Sequence, residues 1–325
     1  METGTGPTTA PPLPRRLLAT LLLVPLLAAL ALWAFAWPAA RTAPRDLPLG
    51  VAGPDAAVTQ VEARLNVHKG AFDLHRYADE PAARAAIEDR DVYGAVVVTA
   101  QGTTLLTASA ASPLVAQLLH QAVAQSGDVK TVDVVAAPAN DPRGAALAGS
   151  VLPLAMAGIA AGAVVSLLGL AGWRAVAALI GSAALVGAVA AGIAGGWLGV
   201  LAGDFWAEAG ALGLATLAVS AAVAGMNALV GRAGVAAVAG TMMLIGNPFS
   251  GASSAPQMLP APIGTLGQWL PPGAGATLLR SVSFFDGAAA LTPALTLTWW
   301  ATIGLGAVLL GAALKGRGTG AGVAG

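Results

Sequence analysis

Six stretches of this chain contain no Asp, Glu, Lys, Arg or His: Leu17 to Trp37, Ala148 to Ala171, Ala175 to Val200, Ala209 to Val230, Gly234 to Phe249 and Pro293 to Leu314. A helix needs roughly 20 such residues to cross a hydrocarbon core about 30 Å thick, where no water satisfies a charge or an open backbone group. Most of the six reach that length. Gly234 to Phe249 is shorter and stops at Asn247 and Pro248, so it is expected to end inside the membrane. Only 10% of the 325 residues are charged, against about 25% in an ordinary soluble domain. The fold class that follows is an α-helical integral membrane protein with six transmembrane helices. The apolar run after Arg15 and Arg16 also invites reading as a cleaved signal peptide, with Ala39 and Ala40 near the cut. Signal cores usually run roughly 7 to 15 residues, which favours a retained first helix.

Orientation follows from the loops, because Lys and Arg near span ends stay on the cytoplasmic side. With the N-terminus inside, the cytoplasmic segments hold Arg15, Arg16, Arg174, Arg232, Lys315 and Arg317 against one acid, Glu2. All tryptophans except Trp173 then fall toward the outer face, where amphipathic rings settle at the interface. The expectation is a multi-pass protein of the cell membrane with both termini cytoplasmic: a Pro/Thr-rich tail over 1–16 and a second tail over 315–325.

Between the first two spans, residues 38–147 change character. Asp46 to Arg143 carries 12 acids and seven Lys or Arg, the composition of a separate extracytoplasmic domain. Leu47 to Ala52, Phe72 to Tyr77, Tyr93 to Thr99, Thr103 to Ala108 and Lys130 to Ala136 read as strands, rich in Val, Leu, Thr and aromatic residues. Asp55 is expected to open a helix over Ala56 to Leu65, Asp79 to cap Glu80 to Glu88, and Ser112 with Pro113 to start Leu114 to Gln125. The order β-α-β-α-β-β-α-β gives a compact α/β domain, with Gly102 in the turn between the middle strands.

Little chemistry is written in this text. The chain has no cysteine, and it lacks the phosphate-binding loop, the hydrolase elbow and the HExxH zinc motif. It reads as no enzyme, needs no cofactor and carries no signature of nucleic-acid binding. His68, Asp73 and His75 lie close in sequence, yet without the second ligand pair of a zinc site they read as a solvated surface. No ionisable group sits within a span, which argues against an autonomous proton-coupled pump. Gly158 and Gly162 form a G-x-x-x-G pair, suited to packing inside one bundle or to a dimer seam.

From Gly246 to Gly287 the sequence is punctuated by Pro and Gly yet stays apolar in short pieces, Ile263 to Leu270 and Ala274 to Val282. Such pieces are too short to cross, so residues 250–290 are expected to form a re-entrant helical hairpin between the fifth and sixth spans. Non-helical backbone at that depth must face protein or a water-filled cavity.

Pro256, Leu259 and Pro260, then Leu270-Pro271-Pro272-Gly273-Ala274, Leu279-Arg280 and Phe285-x-Gly287, with Ala83 to Ala95 in the soluble domain, carry a resemblance. Together with the topology, they resemble the type-2 ABC exporter permeases, and more closely the actinobacterial permease-like branch related to the phage-infection-protein group. The resemblance implies a homodimer in the lipid bilayer that exports a hydrophobic or amphiphilic compound, energised by a separate cytoplasmic ABC ATPase. The chain departs from the pattern in offering only Gly172, Trp173 and Arg174 where such permeases carry a cytoplasmic helix after the second span. The alternative is a non-transporting envelope scaffold, receptor or accessory protein acting through its extracytoplasmic domain.

Arg280 is the only basic residue between Arg232 and Lys315. Two expectations attach to it. It either snorkels to lipid phosphate or pairs with Asp204, Glu208 or Asp286 as an outer gate beside the Asn247-Pro248 break.

Overall fold

The computed structural model describes residues 13–67, 69–124 and 129–321. It is predominantly helical, with one small sheet. In chain order the elements are α1 (Leu13–Ala40), β1 (Leu47–Ala52), α2 (Asp55–Leu65), β2 (Phe72–Tyr77), α3 (Glu80–Glu88), β3 (Gly94–Thr99), β4 (Gly102–Thr107), α4 (Pro113–Ala124) and β5 (Lys130–Asp133). The bundle follows with α5 (Ala145–Leu167), α6 (Gly172–Ala191), α7 (Phe205–Val230), α8 (Arg232–Thr241), α9 (Ile263–Gln268), α10 (Pro271–Phe284) and α11 (Leu291–Ala321). Two helices continue as π-helix, α6 through Gly192–Trp197 and α8 through Met242–Gly246.

Among the described residues five helices are long and apolar enough to cross a membrane: α1, α5, α6 with its continuation, α7 and α11. The sequence pointed to six. Arg232–Gly246 is an apolar helix of lesser length, because Asn247 and Pro248 end it before it reaches a spanning length. The chain is a multi-pass helical membrane protein.

The bundle is built around α7. Of its apolar window 72% is buried, against 28% or less for the other four. Small residues make this possible, since α5 approaches closely enough that a Cβ on Gly158 would lie 2.8 Å from Val219 Cβ, and one on Gly162 would lie 2.5 Å from the Ser220 carbonyl oxygen. The G-x-x-x-G face is therefore occupied inside the chain, and it is not available as a dimer seam.

The sheet has the order β2-β1-β3-β4-β5, with β3 and β4 antiparallel and the other neighbours parallel. Side-chain alternation splits β3 between two faces. Ala95 and Val97 pack with Ala83 and Ile87 of α3, whereas Val96 packs with Val115 and Leu119 of α4. Helix starts follow local chemistry. The Asp79 carboxylate accepts from the Ala82 N–H at 2.9 Å, and the Ser112 hydroxyl oxygen accepts from Val115 N–H at 3.2 Å. Asp55 does not cap α2 as expected. It is the first helical residue, after Pro54, and places its negative charge at the positive end of the helix.

Each face of the sheet is completed from far along the chain. Met258 joins the core on the α4 side, and Phe285 joins the core on the α3 side. Both belong to the segment between α8 and α11, which holds a short turn of 3-10 helix (Pro256–Met258), α9 and α10. At 14 residues α10 is about 21 Å long, too short to cross a bilayer. Further backbone bonds seal this junction, from Ala43 N–H to Met258 at 3.0 Å and from Arg45 N–H to Gln257 at 2.9 Å.

Candidate functional site

The sequence offered Arg280 as a charge without an obvious partner, and its surroundings define the site. Pro271 and Pro272 start α10, where a proline loses no intrahelical bond, and the C-terminal half of the helix lies under the sheet. Arg280 on that half is 5% exposed and donates from Nη2 to the Ala252 carbonyl oxygen at 2.6 Å. From the sheet side comes Arg90, in the turn after α3 with a φ of 66°. Its Nη1 donates to the Thr277 carbonyl oxygen at 3.2 Å and to the Ser281 hydroxyl, and its guanidinium lies 5.1 Å from the centre of the Phe285 ring. Tyr93, at the entry to β3, donates from its hydroxyl to Gln257 Oε1 at 2.9 Å.

Arg90, Tyr93, Gln257, Thr277 and Arg280 all line one cavity of about 690 Å3 between the sheet and the segment before α11. Leu259, Trp269 and Pro293 add apolar surface to the same lining, and Asp46 and Asp91 lie on its exposed part. Burial pushes the Arg90 guanidinium below its usual range. Burial raises the Tyr93 phenol, while the charges of Arg90 and Arg280 beside it pull the other way. A polar, cationic inner wall next to apolar surface can hold a molecule with two unlike ends.

Among the described residues no carboxylate neutralises Arg90 or Arg280. Among the described residues the ion pairs are His75 with Asp73, Arg76 with Glu62 and Arg84 with Glu80. The expected pairing of Arg280 with Asp204, Glu208 or Asp286 is thus corrected, because each acid is placed elsewhere. Asp204 caps α7 by accepting from Trp206 and Ala207 N–H, both at 3.0 Å. Glu208 is 2% exposed and accepts from Gly203 N–H at 2.9 Å. Asp286 is exposed in a left-handed turn with φ 49°, followed by Gly287 at 86°. Nor does Arg280 snorkel, since it is enclosed by protein. Asn247 and Pro248 line a second cavity of about 360 Å3 with Phe35, Pro38 and Ser250.

The motif residues serve the junction. Pro256 and Leu259 line the main cavity, Pro260 is buried beside them, and Leu270 stands as the extended residue before α10. Gly273 lets α10 touch the Gly267 carbonyl, which a side chain would block. His75 is exposed and lies 3.1 Å from Asp73, while His68 lies outside the described residues. No group of three or more metal-ligating side chains occurs among the described residues.

Sequence reasoning missed Arg90 and Tyr93 as site residues. Within Glu88-Asp89-Arg90-Asp91 the arginine reads as one more solvated charge, and only contacts across 187 and 191 residues bury it. The chain matches no family model, no curated protein and no solved structure.

Proposed function

We propose that this chain is the membrane subunit of an exporter of the type-2 ABC class, moving a hydrophobic or amphiphilic compound outward as a homodimer energised by a separate ATPase. The observation that carries this reading is the cavity of about 690 Å3, where a cationic wall and apolar surface meet at the top of the bundle. On this reading the sheet domain is extracytoplasmic, both termini are cytoplasmic, and α8 to α10 form the part that enters the bilayer without crossing. The distribution of Arg174 and Arg232 at the far end of the bundle supports that orientation. The test is transport. Inverted membrane vesicles from cells that produce the chain should move a lipophilic dye or lipid only with hydrolysable nucleotide, and vesicles from cells lacking the chain should not. Absence of nucleotide-dependent movement for every lipophilic probe overturns the exporter reading.

A second reading has one observation in its favour. Residues 168–171 alone join α5 to α6, and Gly231 alone joins α7 to α8, which leaves no helix there for an ATPase to grip. A receptor or scaffold would need none. Crosslinking of the full chain in cells separates the two, because an exporter subunit should capture an ATPase and a scaffold should not.

A further inference from the structure

We propose that the cavity beneath the sheet binds the anionic oxygens of an amphiphile's headgroup, with Arg90 and Arg280 as the residues that hold them. The proposal rests on the preceding one in taking an amphiphile as the occupant, and it adds the charge and chemistry of the head.

Three guanidinium groups line one cavity, those of Arg45, Arg90 and Arg280, and none meets a carboxylate within ion-pair distance among the described residues. Arg45 spends both its Nη atoms on the carbonyl oxygens of Ala43, Met258 and Arg41, which leaves Arg90 and Arg280 as the pair on the inner wall. Burying a charge is costly unless an opposite charge and hydrogen bonds offset it. Backbone carbonyls supply part of the hydrogen bonding but leave each group its full positive charge. A guanidinium has five N–H donors in a planar fork. Arg280 uses Nη2 on Ala252, and Arg90 uses Nη1 on Thr277 and Ser281. The remaining donors face no protein acceptor among the described residues, and that fork geometry suits the paired oxygens of a phosphate or carboxylate. Asp46 and Asp91 share the lining, but both are exposed and neither pairs with an arginine. Thr292 and Thr296, from the first turns of α11, line the cavity as well, so the positive end of a spanning helix adds to the same field.

The size of the space decides what else is bound. About 690 Å3 lies within the roughly 300 to 1,000 Å3 of ligand sites and far exceeds one small oxyanion. Leu259 and the exposed Trp269 offer apolar contact for the remainder of the molecule. The occupant is therefore an amphiphile whose head carries phosphate-type or carboxylate oxygens.

The test is binding by the full chain in phosphatidylcholine nanodiscs, measured calorimetrically without any ATPase. Dioctanoyl phosphatidylglycerol should bind saturably and at least tenfold more tightly than dioctanoyl phosphatidylcholine, which has the same tails without net charge. Arg90→Gln and Arg280→Gln should each weaken it at least tenfold, whereas Arg90→Lys and Arg280→Lys, which keep the charge, should weaken it less. The lysine variants keep the test open if a glutamine variant fails to fold. Saturable binding of inorganic phosphate as tight as the lipid's would overturn the amphiphile in favour of a free oxyanion. Equal binding of the two lipids, or anionic-lipid binding indifferent to both glutamine variants, overturns the site itself. Because no transport is measured, failure here leaves the exporter reading to its own vesicle test.

Discussion

The Tyr93 hydroxyl donates to Gln257 Oε1 at 2.9 Å across 164 residues of chain. This bond joins the start of β3 to the 3-10 turn before α9, and it shows that the sheet domain is fastened to the bundle by side chains as well as by its two covalent connections. A hydrogen bond of this kind contributes about 1 kcal/mol net. Tyr93→Phe should lower unfolding stability in detergent by about that amount. The pH response gives a second reading of the same bond. Burial raises the folded-state pKa of Tyr93 above its unfolded value of about 10. Its contribution is then complete below about pH 10 and is lost as pH rises through the folded value. Wild type should therefore lose more stability than Tyr93→Phe on going above about pH 10, and parallel alkaline profiles would count against a buried, bonded phenol.

Met258 makes a similar attachment through packing. It is 1% exposed within a core formed by Leu47, Leu49, Leu105, Val115 and Leu119. Met258→Ala should cost about 2 to 5 kcal/mol, the range for emptying a closed core site. Because the cavity opens in the sheet rather than among the spanning helices, limited proteolysis should accelerate within β1 to β5 first. Cleavage confined to the α5–α6 turn would contradict that placement.

Arg280 and the acids of the α6–α7 connection should act independently. Asp204→Ala removes a helix cap and should cost about 1 kcal/mol on its own. Combined with Arg280→Gln, the two effects should add to within about 0.5 kcal/mol, as they do for groups that share no partner. A coupling energy well above that, measured in a double-mutant cycle of thermal unfolding, would reinstate an ion pair between them.

The closeness of α5 and α7 makes glycine substitutions unequal. Leucine at position 162 must push against the Ser220 carbonyl and Val223, so Gly162→Leu should destabilise by about 1 to 3 kcal/mol or more, the usual cost of overpacking. Gly181 on α6 is exposed with nothing near its missing Cβ, and Gly181→Ala should be neutral or stabilising by up to about 1 kcal/mol. Oligomeric state should change with neither, since the Gly162 face is filled by the chain's own helix.

What the sequence made legible is what local pattern controls. β1 and β2 begin and end where the runs rich in Val, Leu and aromatic residues do, and Asp79 caps α3 as an Asp before Glu-Pro is suited to do. The long spans were equally plain, being uncharged. The candidate site was half visible: Arg280 stood out as a lone cation, but Asp286 near it in sequence and Asp204 and Glu208 in the loop between the third and fourth spans suggested partners that the fold uses elsewhere. Arg90 was hidden because its burial depends on Thr277 and Ser281, which no window of the text places beside it. Met258 and Phe285 were hidden for the same reason, each lying in a Pro/Gly-rich stretch whose own periodicity says nothing about a sheet.

The orientation of the bundle follows from geometry once one end is fixed. α1 runs into the sheet domain, α5 leaves it, and α6 returns to it, so that Asn140 donates to the Leu198 carbonyl oxygen at 3.2 Å. The α5–α6 turn therefore lies at the opposite end from the sheet. Arg174 sits just after that turn, and the preference of positive charge beside a span for the cytoplasmic side is what the orientation proposed above rests on. The chain contains no native cysteine, so single replacements report cleanly. Ser254 is a poor reporter because it is 4% exposed, whereas Gln60 on α2 and Arg174 are both exposed. Gln60→Cys should react with an impermeant maleimide in intact cells, and Arg174→Cys should react only after the membrane is permeabilised. The reverse pattern would turn the molecule over, placing the sheet, the cavity and its arginines on the cytoplasmic side. Labelling of both in intact cells would mean that the bundle between them does not span the membrane at all.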